Sequence, residues 1–140
     1  MTRSQIEERL ARHREAFARR DPDALAATHA ADGTFESPAA GTVRGRDAIR
    51  GVYKYWYEAF PDFAFTWDAV LIDPPRASFF WKFSGVASGP FFGEVRQGTP
   101  VTMPGAAEYV FGDDGIVAAR HVFDFSGVLV RAGVMKIKPA

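Results

Sequence analysis

The spacing of hydrophobic residues divides this chain into a helical first part and a strand-rich second part. Apolar residues recur at intervals of three and four over residues 4–20 and 46–60, which predicts two amphipathic helices. Asp21-Pro22 predicts a shorter helix between them, over about 22–30, because aspartate caps helices and proline suits their first turn.

Local signals refine this helical part. Ser4 and Glu7 have the spacing of a capping box, in which each side chain satisfies a free backbone N–H at the helix start. Residues 34–37 predict a short strand that Pro38 closes, and residues 39–45 predict a glycine-containing loop.

From residue 63 onward, apolar and polar residues alternate, and this period of two is typical of β-strands. The alternation predicts long strands over about 63–71, 78–86, 101–111 and 116–125. Residues 87–100 form a predicted glycine-rich loop, long enough to lie over the mouth of a pocket. The tail, 126–133, predicts a short strand or turn, and the segment 136–139 is expected to fray.

Helices followed by consecutive antiparallel strands indicate an α+β fold. We expect a cone-shaped α+β barrel, in which three N-terminal helices pack on a strongly curved, mainly antiparallel sheet and enclose an apolar pocket. The 140 residues fit one domain, 1–140.

Composition narrows the possible functions. The 13 Phe, 3 Trp and 4 Tyr exceed what packing alone needs and indicate an apolar cavity or interface. A net charge of zero without a basic patch argues against a nucleic-acid partner. The absence of cysteine excludes disulfides, thiolate metal sites and cysteine nucleophiles. Three scattered histidines do not predict a metal site, and no apolar run or signal segment predicts a membrane location, so we expect a cytoplasmic protein.

Two histidines are candidates for chemistry. His13 falls on the apolar stripe of the first helix with Leu10 and Phe17, and His121 shares a strand face with Phe123. Each is interpreted either as a core histidine with a hydrogen-bond partner or as a polar group aimed into a cavity. Asp124 lies on the opposite strand face from His121 and has the character of a structural residue.

Aromatic and other side chains on the predicted inner faces are candidate pocket walls, although some must belong to the plain core. The predicted substrate contacts are Phe35, Ser37, Tyr53, Trp56, Trp67, Trp81, Met103, Tyr109 and Phe123.

Several short motifs resemble those of one family when taken in order. They are Phe35-Glu36-Ser37-Pro38, Gly45-Arg46-Asp47-Ala48-Ile49, Phe60-Pro61-Asp62 and Gly89-Pro90-Phe91-Phe92-Gly93. With them, the chain resembles the SnoaL-like polyketide cyclases, within the nuclear-transport-factor-2-like and ketosteroid-isomerase-like superfamily. The resemblance implies a conical fold, often dimeric through the sheet, around an apolar pocket. It also implies an intramolecular aldol condensation without metal or cofactor, in which a carboxylate takes a proton from carbon.

This chain departs from the family pattern at the residues that matter most. His121 stands where the cyclases have an acid/base Asp, and Ala87 stands where they often have a His. Ser37 aligns with the isomerase base, and His13 aligns with the isomerase's oxyanion-binding Tyr.

These substitutions lead to a modified hypothesis. His121 would act as the base and His13 as the donor to an enolate oxygen of a bulky, apolar carbonyl substrate, with Asp124 as a further catalytic candidate. The alternatives are a non-catalytic small-molecule-binding or dimerisation module, and a dehydratase or isomerase that uses the same pocket. A homodimer through the sheet is expected in each case.

Overall fold

A computed structural model describes residues 1–138 of the chain. Those residues form four helices and six strands. In chain order these are α1 (Arg3–Ala18), α2 (Pro22–Ala27), β1 (His29–Ser37), β2 (Gly41–Arg44), α3 (Arg46–Ala59), β3 (Ala64–Asp73), β4 (Arg76–Ala87), β5 (Thr99–Gly112), β6 (Gly115–Phe123) and α4 (Phe125–Arg131).

The strands form one curved sheet in the order β2-β1-β6-β5-β4-β3. The β1–β6 pair is parallel and the other neighbours are antiparallel. The register shifts between Asp68 and Leu71 in β3 and between Val110 and Phe111 in β5, and such irregularities bend strands. The predicted α+β cone, with helices over a strongly curved and mainly antiparallel sheet, is confirmed.

The helices cover the concave face of the sheet. The α1 stripe of Ile6, Leu10, His13 and Phe17 is buried, as its spacing predicts. The capping box at its start consists of Thr2 and Gln5, so the assignment to Ser4 and Glu7 was wrong by two residues. Thr and Ser both serve as N-caps in this motif, and with Thr2 as the cap the helix begins at Arg3.

Three local predictions differ from the structure, two of them because strands pair with distant partners. The loop predicted over 39–45 contains β2, because Gly41–Arg44 pairs with the end of β1. The second helix stops at Ala27, since β1 begins at His29 and pairs with β6. The tail predicted as strand or turn is the helix α4, which Asp124 caps by accepting a hydrogen bond from the Gly127 N–H. The segment 136–139 was expected to fray, and its last residue, Pro139, lies outside the described residues.

The loop after β4 closes one end of the cone. The backbone N–H groups of Ser88 and Gly89 both donate to the carbonyl of Ala59, at the end of α3. A Cβ at Gly89 would lie 2.6 Å from the Glu58 carbonyl oxygen, so this close approach needs glycine. Phe91 is buried beneath Trp56. No helix within residues 1–138 is long and apolar enough to cross a bilayer.

Candidate functional site

A cavity of about 50 Å³ lies between the helices and the concave face of the sheet. Eight of the predicted site residues line it: Phe35, Ser37, Tyr53, Trp56, Trp81, Met103, His121 and Phe123. The remaining wall was not predicted and consists of Phe17, Val52, Tyr57, Phe63, Phe65 and Phe83. Alternation and helical spacing had identified most of these as apolar, but not which of them face open space.

Four predicted site residues lie elsewhere. Trp67 stacks on Phe79 at 4.0 Å, with the Arg14 guanidinium over its ring at 4.6 Å, and it does not line the cavity. Asp124 is exposed and caps α4, so the structure keeps it away from the cavity and supports its structural interpretation. His13 and Tyr109 are fully buried behind the cavity wall.

Tyr109 connects the two candidate histidines. Its hydroxyl lies 3.2 Å from Nε2 of His121 and 3.0 Å from Nε2 of His13. Nδ1 of His13 lies 2.7 Å from Oγ1 of Thr28, and that hydroxyl donates to the Leu25 carbonyl oxygen at 2.6 Å. We call this chain of hydrogen bonds, from His121 through Tyr109 and His13 to Thr28, the histidine relay. It joins β6, β5, α1 and the end of α2.

The direction of every hydrogen bond in the histidine relay follows from its last member. A carbonyl oxygen only accepts, so Thr28 gives its single proton to Leu25 and must accept from Nδ1–H of His13. Neutral His13 then has a bare Nε2, which accepts from the Tyr109 hydroxyl. The Tyr109 oxygen in turn accepts from Nε2–H of His121. The relay therefore leaves Nδ1 of His121 as a bare nitrogen.

This bare nitrogen is open to the cavity. Within residues 1–138, Nδ1 of His121 has no hydrogen-bond partner. In the same residues, the side-chain nitrogens that are both fully enclosed by protein and without a partner are Nδ1 of His29 and Nε1 of Trp81. Nδ1 of His121 also has no partner but is not enclosed, so it is accessible from the cavity. A lone pair in an apolar cavity, on a ring held in place by its other nitrogen, is a geometry suited to a base.

Burial keeps the histidine relay neutral. Desolvation, with repulsion from His29, lowers the pKa of His121 to about 3. Desolvation and the two other imidazoles lower the pKa of His13 well below its ordinary value. Burial raises the pKa of Tyr109. At neutral pH each member is therefore uncharged, as the assigned hydrogen bonds require.

His29 completes the cluster and was missed by the sequence interpretation, which placed it in a helix. Its Nε2 lies 2.8 Å from the hydroxyl of Tyr53, a cavity residue, and its ring centre is 5.7 Å from that of His13. Burial, with the nearby Arg46 cation, lowers the pKa of His29 to about 4. All three histidines of the chain thus lie in one buried group.

One donor accompanies the bare nitrogen in the cavity wall. Oγ of Ser37 accepts from the Ala40 N–H at 3.0 Å, and its own proton has no acceptor within residues 1–138. Nε1–H of Trp81 is also without a partner in that part of the chain, but surrounding protein atoms cover it and it is not open to the cavity. An apolar cavity with one bare nitrogen and one hydroxyl donor can hold a molecule that carries an oxygen acceptor beside an acidic proton. No three His, Asp or Glu side chains among the described residues are grouped to hold a metal ion.

Solved structures with the same fold include one proposed hydroxylase and several proposed polyketide cyclases. AclR from Streptomyces galilaeus, a proposed hydroxylase, is 19% identical over 99% of this chain and 91% of its own, with a TM-score of 0.82. A proposed SnoaL-like polyketide cyclase from Jannaschia sp. CCS1 is 18% identical over 95% and 94%, with a TM-score of 0.82. IdmH from Streptomyces antibioticus, a proposed polyketide cyclase, is 24% identical over 91% and 98%, with a TM-score of 0.76.

At these identities the structural likeness shows the fold alone. No protein with a curated description matches this sequence. The sequence model of the SnoaL-like domain does match it, over residues 10–120. That match spans most of the chain, includes His13 and Tyr109, and ends one residue before His121. The chain is therefore a member of the SnoaL-like domain family.

Proposed function

We propose that this protein is a cofactor-independent enzyme that removes a proton from a carbon next to a carbonyl group and so promotes an aldol cyclisation of polyketide type. His121 is the base. The observation that carries the proposal is the bare Nδ1 of His121 in an aromatic cavity, set by the histidine relay. Membership of the SnoaL-like family supports a cyclase-type role.

The proposed reaction needs one site for the proton. A proton moves from the substrate carbon to Nδ1 of His121, and the C–H electron pair forms an enolate. The enolate carbon attacks a second carbonyl carbon of the same molecule and forms a C–C bond. The resulting alkoxide takes the proton back from Nδ1, so that no group of the protein is consumed.

The depressed pKa of His121 has a defined consequence for this step. With a pKa of about 3 the imidazole is a bare base at neutral pH, but it holds a proton poorly in the empty cavity. An enolate formed beside the imidazolium supplies the missing negative charge in a medium of low dielectric. The base is therefore effective only toward a substrate that develops anionic charge close to it.

The role proposed for His13 changes in the light of its position. His13 does not line the cavity and cannot donate to a substrate oxygen. It is a positioning residue that acts through Tyr109, because it fixes which nitrogen of His121 carries the proton.

The size of the cavity limits how a bulky substrate binds. About 50 Å³ is enough for a reacting carbonyl end, and a larger ring system needs the wall to open. Half-buried aromatic side chains lie at the wall, among them Trp56, Tyr57 and Phe65. We propose that the reacting end enters the cavity and that the rest of the substrate displaces these side chains.

A second candidate function is non-catalytic binding of a small apolar molecule. The same depressed pKa favours it, since a weakly basic nitrogen can accept a hydrogen bond without taking a proton. In either case we propose a homodimer through the sheet. Phe80 and Val122 are 62% and 60% exposed on its convex face, on either side of Ala106, and would be covered by a second copy.

Exchange of carbon-bound hydrogen tests the proposal without knowledge of the natural substrate. The protein is incubated in D₂O with 1-indanone, and deuteration next to the carbonyl is followed by NMR. We expect His121→Ala to slow the protein-catalysed exchange by about 100-fold or more, the usual contribution of a positioned base. Trp67→Phe, outside the cavity, is the matched control and should exchange at the wild-type rate. Full exchange by His121→Ala would refute the assignment, and ligand binding without exchange by the wild type would favour the binding function.

A further inference from the structure

A second, larger space lies on the outside of the protein, against the wall of the cavity. It is a groove of about 370 Å³ between α3, the β1–β2 hairpin and the loop after β4. No charged side chain lines it among the described residues. Most of its lining is small or aromatic: Ala39, Ala40, Ala48, Gly51, Tyr55 and Phe92. We call this space the outer groove.

Two side chains of α3 form a shared wall between the outer groove and the cavity. Val52 and Trp56 line both spaces, and both residues are half-buried. Residues four positions apart lie on the same face of a helix, so these two side chains are neighbours. The cavity behind them contains the proposed base, His121. A ligand that displaces these side chains would therefore occupy the cavity and the outer groove at once.

Gly51 leaves part of the outer groove empty. It lies within α3, where glycine is less favourable than alanine. A Cβ added to Gly51 would meet no atom within 4 Å outside its own stretch of helix. Packing within the protein therefore does not require a glycine at this position, and the space beside it is open to a ligand.

Phe92 provides an aromatic edge of the outer groove that the protein holds in place. Its φ of 57° lies in the left-handed region, which is strained for a bulky residue. The Tyr55 hydroxyl accepts a hydrogen bond from the Phe92 N–H at 2.7 Å, and the two ring centres are 5.0 Å apart. The Phe92 ring is nevertheless 47% exposed. Strained backbone of this kind is concentrated at functional sites.

We propose that the outer groove binds the non-reacting part of the substrate, which is an uncharged, flat ring system that continues past Val52 and Trp56 from the carbonyl end in the cavity. This role toward a substrate rests on the proposed function, whereas binding of such a ketone does not require catalysis. The groove supplies the apolar surface that the cavity of about 50 Å³ lacks. Its aromatic edge suits a flat ring, and a charged ligand would lose its hydration there without gaining a partner.

Two ketones that share a reacting end measure this contribution. 5-Phenyl-1-indanone is 1-indanone with an additional ring on the side away from the carbonyl. The dissociation constants of both are measured by fluorescence titration for the wild type, Gly51→Leu and Ala11→Leu. We expect the wild type to bind 5-phenyl-1-indanone at least about tenfold more tightly than 1-indanone, because the additional ring is buried in the outer groove. Gly51→Leu should fill the groove and abolish this preference.

Ala11→Leu is the matched control, since it adds a leucine at an exposed position of α1, outside the outer groove and the cavity. It should keep the wild-type ratio of the two dissociation constants. An unchanged ratio in Gly51→Leu overturns the proposal, as does a wild-type protein that gains no affinity from the additional ring. A change of oligomeric state in Gly51→Leu, measured by sedimentation, would assign the groove to a second copy of the chain and would also overturn the proposal.

An NMR measurement on the wild type keeps the proposal testable if Gly51→Leu folds poorly. With 5-phenyl-1-indanone bound, nuclear Overhauser effects should connect the phenyl protons to the methyl group of Ala48. They should also connect the CH₂ group next to the carbonyl to the ring of His121. Phenyl contacts confined to residues outside the groove would overturn the proposal. If these contacts are present but the wild type exchanges no carbon-bound hydrogen, the groove stands as a binding site and the proposed catalysis fails.

Discussion

Acid should destabilise this protein strongly, because all three of its histidines are buried in the neutral form. In the unfolded chain each imidazole titrates near 6.5. In the folded protein the pKa is about 3 for His121, about 4 for His29 and well below the ordinary value for His13. Between these values the unfolded chain binds more protons than the folded protein. The free energy of unfolding is therefore highest above pH 6.5 and decreases as the pH falls from there.

The expected loss can be calculated for His121 and His29. Below about pH 6, each histidine that protonates only on unfolding lowers the free energy of unfolding by about 1.4 kcal/mol per pH unit. Between pH 8 and pH 5 the loss is about 2 kcal/mol for each of these two and about 4 kcal/mol together, and His13 adds a loss of the same sign. That approaches the whole stability of many domains, which is about 5–15 kcal/mol.

Urea unfolding at pH 8, 7, 6 and 5, followed by far-ultraviolet circular dichroism, measures this loss directly. His121→Gln is the informative variant, since it should remove the loss of about 2 kcal/mol that His121 contributes and leave the other two histidines in place. A total decrease below about 2 kcal/mol between pH 8 and pH 5 would contradict the reasoning. It would mean that not even one of the three histidines stays neutral in the folded protein down to pH 5.

Three other changes test separate parts of the structure. Tyr109→Phe leaves two buried imidazole nitrogens unpaired and should lower the free energy of unfolding, measured in urea, by about 3 kcal/mol. His121 should then no longer be held in the Nε2–H tautomer, which ¹⁵N NMR detects. Unchanged tautomers would argue against the histidine relay. Val122→Glu should convert a dimer to a monomer in sedimentation experiments without loss of 1-indanone binding, and a wild-type monomer would contradict the proposed interface. Gly89→Ala should destabilise the protein by about 1–3 kcal/mol because its Cβ meets a backbone carbonyl, whereas Gly51→Ala, in an open position of α3, should stabilise it by up to about 1 kcal/mol; equal effects of the two would refute the close approach.

The fold was predictable because its signals are local and repeated. The α1 stripe and the alternation of the four long strands each span many residues, so single exceptions do not obscure the period. The short strand β2 and the helix α4 were missed, since both depend on partners that no local pattern reveals. β2 exists through its pairing with β1, and α4 depends on burial of Val128 and Leu129.

The candidate site was predictable only in part. His121 and half of the aromatic wall follow from strand alternation and helical spacing together with the family resemblance. The place of His13 behind the wall does not, because a helical stripe predicts burial and not whether a side chain meets a cavity. His29 was missed for a related reason: β1 starts within the segment that the pattern assigns to a helix.

The hydrogen bond between Thr28 and the Leu25 carbonyl determines whether the cavity accepts or gives a proton. If Thr28 donated its proton to Nδ1 of His13 instead, every hydrogen bond of the histidine relay would reverse its direction. Nδ1 of His121 would then carry a hydrogen. The cavity would then offer an acid in place of a base, with no change in any residue of its wall. Chemical reactivity in this scaffold can therefore diverge through substitutions at a helix end that no substrate touches.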